Sequence, residues 1–273
     1  MCVLFSCTNS IEENDLGQKS RVLVNIHPFS ITEEFATRSE ISVAATRLSF
    51  AVYDAKGILV GTITHQASSS ESFGTIAMEL YPGTYTMVAV AHNGEADATI
   101  SSTTSVTLPG TRFTDTFSGV QSLTVEMGKD CTLGMTLPRV TSAFILRLLD
   151  TPPADAKEIK VVVNSGGLEP TALEINPTTG LAANNWKQTC TIPVSKISTD
   201  VPIYFIGMYN SSTVTIKATA YDTEDKEIIS HTISGVTMIP NRKTIATGTF
   251  FKSSGTGSFT LNDSWGDDNE INY

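Results

Sequence analysis

The chain has 273 residues, longer than one small domain needs and about right for two. With 17% charged and 40% hydrophobic residues it excludes a disordered composition, and its 38 threonines, against 18 Lys plus Arg, favour strands over a helical bundle. A net charge of -10 excludes nucleic acid, which demands clustered Lys and Arg, and points to no other partner.

At the N-terminus, Met1 to Phe5 is apolar but far shorter than the ~20 residues that span a bilayer. Leu4-Phe5-Ser6-Cys7 has the form of the end of a bacterial lipoprotein signal, with an aliphatic residue three before the cysteine and a small one just before it. The polar, acidic run Thr8 to Asp15 then suits a linker. The expectation is that Cys7 carries a lipid and is the first mature residue, with the rest of its signal upstream. Acylation at several positions of one cysteine gives stable attachment, unlike a single myristoyl chain. The competing reading is an accidental apolar run.

Beyond this linker, period-two alternation recurs. Val22, Val24 and Ile26 alternate, as do Leu48, Phe50 and Val52, then Val88 and Val90, then Leu123, Val125 and Met127. Ser30-Ile31-Thr32-Glu33 resembles a capping box and predicts a short helix between 30 and 46. Asp54-Ala55-Lys56-Gly57 predicts a hairpin turn, and Pro82 separates a strand at 75–80 from one at 84–91. Leu123 to Leu137 reads as a hairpin around Gly128-Lys129-Asp130. Further alternation follows at Phe144, Leu146 and Leu148, at Ile159, Val161 and Val163, and at Val214, Ile216, Ala218 and Ala220. Asp222 to Glu227 is expected at a solvated hairpin tip. Met238 to Phe251, centred on Asn241-Arg242-Lys243, reads as a second closing hairpin, preceded by Ser234-Gly235-Val236 as Ser118-Gly119-Val120 precedes the first. This weak echo suggests duplication.

The cleanest break lies near Pro138-Arg139. The chain is therefore expected to be all-β, two antiparallel sandwiches in tandem. Residues 1–20 would be residual signal and linker, 21–139 the N-terminal sandwich, 140–253 the C-terminal sandwich, and 254–273 a terminal strand with an acidic tail. In that tail Phe259, Leu261 and Trp265 share one face of an extended segment, interrupted by Asp263.

Chemistry-bearing patterns are few. His27, His65, His92 and His231 stand in no metal-ligand spacing, and there is no nucleophile elbow, P-loop or dinucleotide fingerprint. Cys131 and Cys190 have no CxxC partner; two half-buried thiols are favoured over a bridge, which would have to join the halves. The acidic residues from Asp263 to Glu270 lack calcium-loop spacing. No metal, no cofactor and no catalytic residue is expected.

Three stretches carry a family resemblance: Leu48 to Gly57, Leu80 to Ala91 with its Pro-Gly-x-Tyr entry, and Gly235 to Thr244 followed by Gly248 to Phe251. Together with the Leu-x-Ser-Cys start, the chain resembles the fimbrillin-type fimbrial proteins of Bacteroidales-type bacteria, particularly the lipidated anchor and minor subunits associated with fimbrillin A. The resemblance implies two transthyretin-like sandwiches. It implies a structural subunit on the outer membrane, held by lipidated Cys7 and partnered by other fimbrial subunits. It also implies assembly by strand exchange. Gly257 to Trp265, with Phe259, Leu261 and Trp265, is then a candidate donor strand; completing its own chain's sheet is the alternative. Arg38 resembles the site at which the family's major pilins are processed; a plain loop residue is the alternative. A rival function is a surface lipoprotein that binds glycan or a host protein, with Trp186 as its stacking residue if exposed.

Overall fold

The computed structural model describes residues 17–29, 45–110, 113–194, 203–208, 213–241, 243–252 and 260–262. Strands dominate these residues. In chain order they are β1 (Ser20–Phe29), β2 (Arg47–Asp54), β3 (Thr64–Ala67), β4 (Thr75–Leu80), β5 (Gly83–His92), β6 (Thr99–Ser102), β7 (Ser105–Pro109), β8 (Thr116–Val125) and β9 (Cys131–Pro138). The second half contributes β10 (Thr141–Leu148), β11 (Ala156–Asn164), β12 (Ala172–Ile175), β13 (Lys187–Pro193), β14 (Ile203–Met208), β15 (Val214–Asp222), β16 (Glu227–Val236), β17 (Lys243–Gly248) and β18 (Thr260–Asn262). The expected helix falls mostly on residues outside those described.

Strands of the first half make two sheets, ordered β4-β1-β9 and β3-β2-β5-β8. Between them Val22, Val24 and Ile26 of β1 meet Leu48, Phe50, Val52, Met87 and Ala89 in one buried cluster. The outer face of β2 and β5 is buried as well. Ala51, Tyr53, Val88 and Val90 join a second cluster that includes Ile100, Val106 and Leu108 of β6 and β7. This differs from the half-buried strands expected at Leu48–Val52 and Val88–Val90. The physical reason is the extra layer of β6 and β7 over the face that alternation would leave to water.

In the second half the sheets are β14-β10-β17-β18 and β13-β11-β15-β16. Phe144, Leu146 and Leu148 of β10 face Ile159, Val161 and Val163 of β11 and Ile216, Ala218 and Ala220 of β15. A fifth sheet, β12-β7-β6, joins strands of both halves. Here Leu173 pairs with Leu108 and Ile175 with Val106, antiparallel. A link of this kind is not visible in a tandem reading of the sequence.

Both closing hairpins are corrected. β8 pairs with β5, whereas β9 pairs with β1 in parallel, from Val22–Cys131 to Phe29–Pro138. Likewise β16 pairs with β15, and β17 runs parallel to β10, from Ala143–Lys243 to Leu148–Gly248. The turns therefore cross between sheets. Leu123 and Val125 on one strand, and Met135 and Leu137 on the next, all point into one core, so they oppose each other across it and do not pair edge to edge. The suggested echo reappears in this topology, since each half joins a first strand to a last one in parallel.

It reappears in two turns. Asp54 Oδ1 accepts the N–H groups of Lys56 and Ile58, each at 2.9 Å, and Asp222 Oδ1 accepts those of Glu224 and Lys226, each at 2.9 Å. At the same place in each turn stand Gly57 (φ 75°) and Asp225 (φ 63°). Both tips have the predicted turn chemistry.

Candidate functional site

Polar contacts gather at three places: the entry of β1, the segment after β17, and the link between β9 and β10. Cys7 and Arg38 lie outside the described residues, as do Phe259 and Trp265. Of the candidate donor segment, Thr260–Asn262 is described as β18. It pairs antiparallel with β17 of the same chain, Leu261 opposite Ala246.

At the N-terminal end, β1 occupies the middle of its sheet, antiparallel to β4 and parallel to β9. Where it enters, Ser20 Oγ donates to the Glu126 carbonyl (2.9 Å) and the Arg21 N–H donates to Asp130 Oδ1 (2.8 Å). Val22 and Val24 are fully buried, so the alternation that predicted this strand also locks it.

At the C-terminal end, buried Asp150 accepts three backbone N–H groups: Phe250 at 2.6 Å on Oδ1, and Phe251 and Lys252 at 2.7 and 3.0 Å on Oδ2. His231 Nε2 lies 2.8 Å from the Phe250 carbonyl, and its ring centroid is 5.0 Å from that of Phe250. The segment leading out of β17 is thus fixed on both sides. Sequence reading missed Asp150, because its partners are a hundred residues away; the only local signal was an Asp closing an apolar run.

The joint centres on Arg139, in the short link between β9 and β10. Its Nε and Nη2 donate to the Asp115 carboxylate at 2.8 and 3.1 Å, and Nη1 donates to Asn241 Oδ1 at 3.0 Å. The guanidinium lies 4.9 Å from the Phe117 ring centre. Thr141 Oγ1 donates to Asp115 Oδ1 (3.0 Å), and the Asn241 N–H donates to the Thr141 carbonyl (2.7 Å). A bidentate guanidinium–carboxylate pair fixes direction as well as distance. Behind it, Ser118 Oγ donates to the Pro177 carbonyl (3.1 Å), and Ser105 Oγ donates to Glu174 Oε1 (2.7 Å). Pro138-Arg139 stood out in the sequence as a break, but its partners did not.

Trp186 is only 1% exposed, which overturns its use as a stacking residue for glycans. It packs edge-on against Phe113 of the first half, ring centres 4.6 Å apart, while its backbone N–H donates to Ser165 Oγ (2.7 Å). Above it a shallow cleft of about 210 Å³ is bordered by Thr107, Pro170, Glu174, Asn184 and Asn185. No exposed aromatic lines it.

Ser49 Oγ lies 2.9 Å from His65 Nδ1, but Ser49 is fully buried in β2, closed to any substrate. His92 is buried too. Burial, and secondarily the nearby Arg47, push its pKa down to about 4 against the pull of Asp97, and its Nδ1 accepts the Gly94 N–H (3.0 Å). Among the described residues no group of three or more His, Cys, Asp or Glu is arranged to hold a metal ion. Cys131 is a free thiol packed against the first core, and Cys190 stands on β13 in the second half.

Among the described residues these polar clusters are used in holding the chain's own strands. The sequence profile of the fimbrillin-A-associated anchor proteins Mfa1 and Mfa2 matches residues 36–269, and the chain belongs to that family. Its fold is similar to a candidate polysaccharide-binding protein of Bacteroides thetaiotaomicron, at 12% identity and TM-score 0.57 over 84% of this chain and 91% of the other. It is similar also to a candidate adhesin of Bacteroides ovatus, at 13% identity and TM-score 0.55 over 89% and 96%. A third is the fimbrial anchor protein Mfa2 of Porphyromonas gingivalis, at 14% identity and TM-score 0.51 over 89% and 95%. No functionally curated protein matches the chain at a significant level.

Proposed function

We propose that the chain is a lipid-anchored structural subunit of an outer-membrane fimbria, an anchor or minor component joined to other fimbrial subunits. The observation that carries this reading is family membership over nearly the whole chain. The Leu4-Phe5-Ser6-Cys7 pattern and the acidic linker support attachment through Cys7. Assembly proceeds by strand exchange, in which main-chain hydrogen bonds to a partner's strand supply affinity. The C-terminal segment around Phe259, Leu261 and Trp265 is the candidate donor, and exchange requires Thr260–Asn262 to leave β17. Arg38, between β1 and β2 in the sequence, is the candidate processing site, with a plain loop residue as the alternative.

The test is metabolic labelling with a fatty-acid analogue. Wild type is expected to take label and to sediment with outer membranes; Cys7→Ala is expected to lose both. Label retained by Cys7→Ala would overturn the anchor, and unchanged fimbria length and attachment in a deletion strain would overturn the fimbrial role.

A further inference from the structure

We propose that this chain is built to carry tension along its length, through two shear-loaded strand pairs in series, β1–β9 and β10–β17. This loading follows from strand geometry alone and needs neither the lipid nor a fimbrial partner.

In a parallel pair, tension that enters the start of one strand and leaves from the end of the other pulls the two in opposite directions along a common axis. Every hydrogen bond between them then shares the load at once. Strands pulled from the same end separate one bond at a time, and each bond meets the whole load alone. A single hydrogen bond adds little net stability, so the geometry of loading decides the resistance.

Both pairs have the sharing geometry. β1 is reached from the N-terminal side and runs parallel to β9, and β9 passes directly through Arg139 and Val140 into β10. β10 runs parallel to β17, whose far end continues through Phe250 to Lys252 before β18 returns antiparallel to β17. The path is therefore β1 to β9 by shear, β9 to β10 by covalent chain, and β10 to β17 by shear. The strands β2 to β8 and β11 to β16 are loops off this line. Of the loaded strands, β1 is also held on its other side by antiparallel β4, β10 by antiparallel β14 and β17 by antiparallel β18. Sliding β1 would expose Val22, Val24 and Ile26, and sliding β10 would expose Phe144 and Leu146.

Three polar groupings stand at the points where a load line needs them. At the entry, Asp130 and the Glu126 carbonyl hold Arg21 and Ser20. At the joint, Arg139 ties the link between β9 and β10 to Asp115 and to Asn241. At the exit, the Leu149 N–H donates to the Gly248 carbonyl (2.9 Å), and Asp150 holds Phe250, Phe251 and Lys252, so the second pair is extended beyond its ladder.

The experiment is single-molecule pulling of the full chain. Handles are coupled to an azide-bearing residue introduced at exposed Gln18 and at exposed Lys252, which loads both pairs in shear; the comparison places them at Gln18 and exposed Lys129, which peels β1 from β9 at its starting end. Only the attachment points differ, so both proteins retain the same fold, and equal melting temperatures check this. At one loading rate the end-to-end protein is expected to unfold at a force about twofold higher or more. Equal or lower force for end-to-end loading overturns the proposal. The lipid-labelling result bears only on the anchor, so the two readings fail separately.

Discussion

His92 shows what a single residue carries. Buried at the end of β5, it is held neutral, with a pKa near 4 against 6.5 for an ordinary histidine. The unfolded chain therefore takes up a proton near pH 6.5 that the folded chain refuses until about pH 4. Stability from this residue is present in full above pH 6.5 and is lost as pH falls toward 4, by up to about 3 kcal/mol. Urea melts at pH 7.5 and pH 4.5 are expected to show this loss in wild type and a smaller one in His92→Asn, whose Oδ1 can still accept the Gly94 N–H; equal losses would exclude the mechanism. None of this was legible in the sequence, where His92 ends a strand like any other histidine. Trp186 teaches the same lesson from the opposite side. Beside Asn184 and Asn185 it reads as a loop aromatic, yet Phe113, some seventy residues earlier, covers it. Local sequence gives polarity and period, whereas burial depends on which distant segment arrives.

At the scale of elements, the legible part was large. Strand positions follow from alternation, and the Asp54 and Asp222 turns from their side-chain oxygen and the residue with positive φ. Pairing was less legible. Leu123–Leu137 has hairpin chemistry at Gly128, but a turn of that kind also serves a crossing between sheets, and the shared core decides between them. Packing of loops against the joint was not legible at all. Gly180 has φ 70°, and a methyl group there would stand 2.5 Å from Val140 Cγ1. Left-handed strain and overpacking add, so Gly180→Ala is expected to cost about 2 kcal/mol or more in chemical denaturation. Gly57→Ala shares the positive φ but meets no atom within 4 Å, so its cost should be about 1 kcal/mol. A Gly180→Ala cost no greater than that of Gly57→Ala would show that the loop moves aside freely.

For the whole molecule, composition and strand count gave an all-β chain, and the resemblance of three short stretches gave the family. The sequence could not reveal that β12 of the second half completes a sheet begun by β6 and β7 of the first. The β12 stretch, Ala-Leu-Glu-Ile, is too short to announce its partner. Because of that sheet, Val106, Leu108, Leu173, Ile175 and Trp186 belong to one buried cluster. A chain ended after Arg139 is expected to lack a cooperative thermal transition, measured by far-UV circular dichroism. A sharp transition like that of the full chain would show that the first half stands alone.

The shared sheet also sets an order of events. β6 and β7 cover the outer face of β2 and β5, but their own sheet lacks β12 until Ile175 is present. A chain that appears N-terminus first cannot complete that sheet until about two-thirds of its length is available. Until then one edge of β7 stands unpaired, and the late arrival of β12 ends that vulnerable interval.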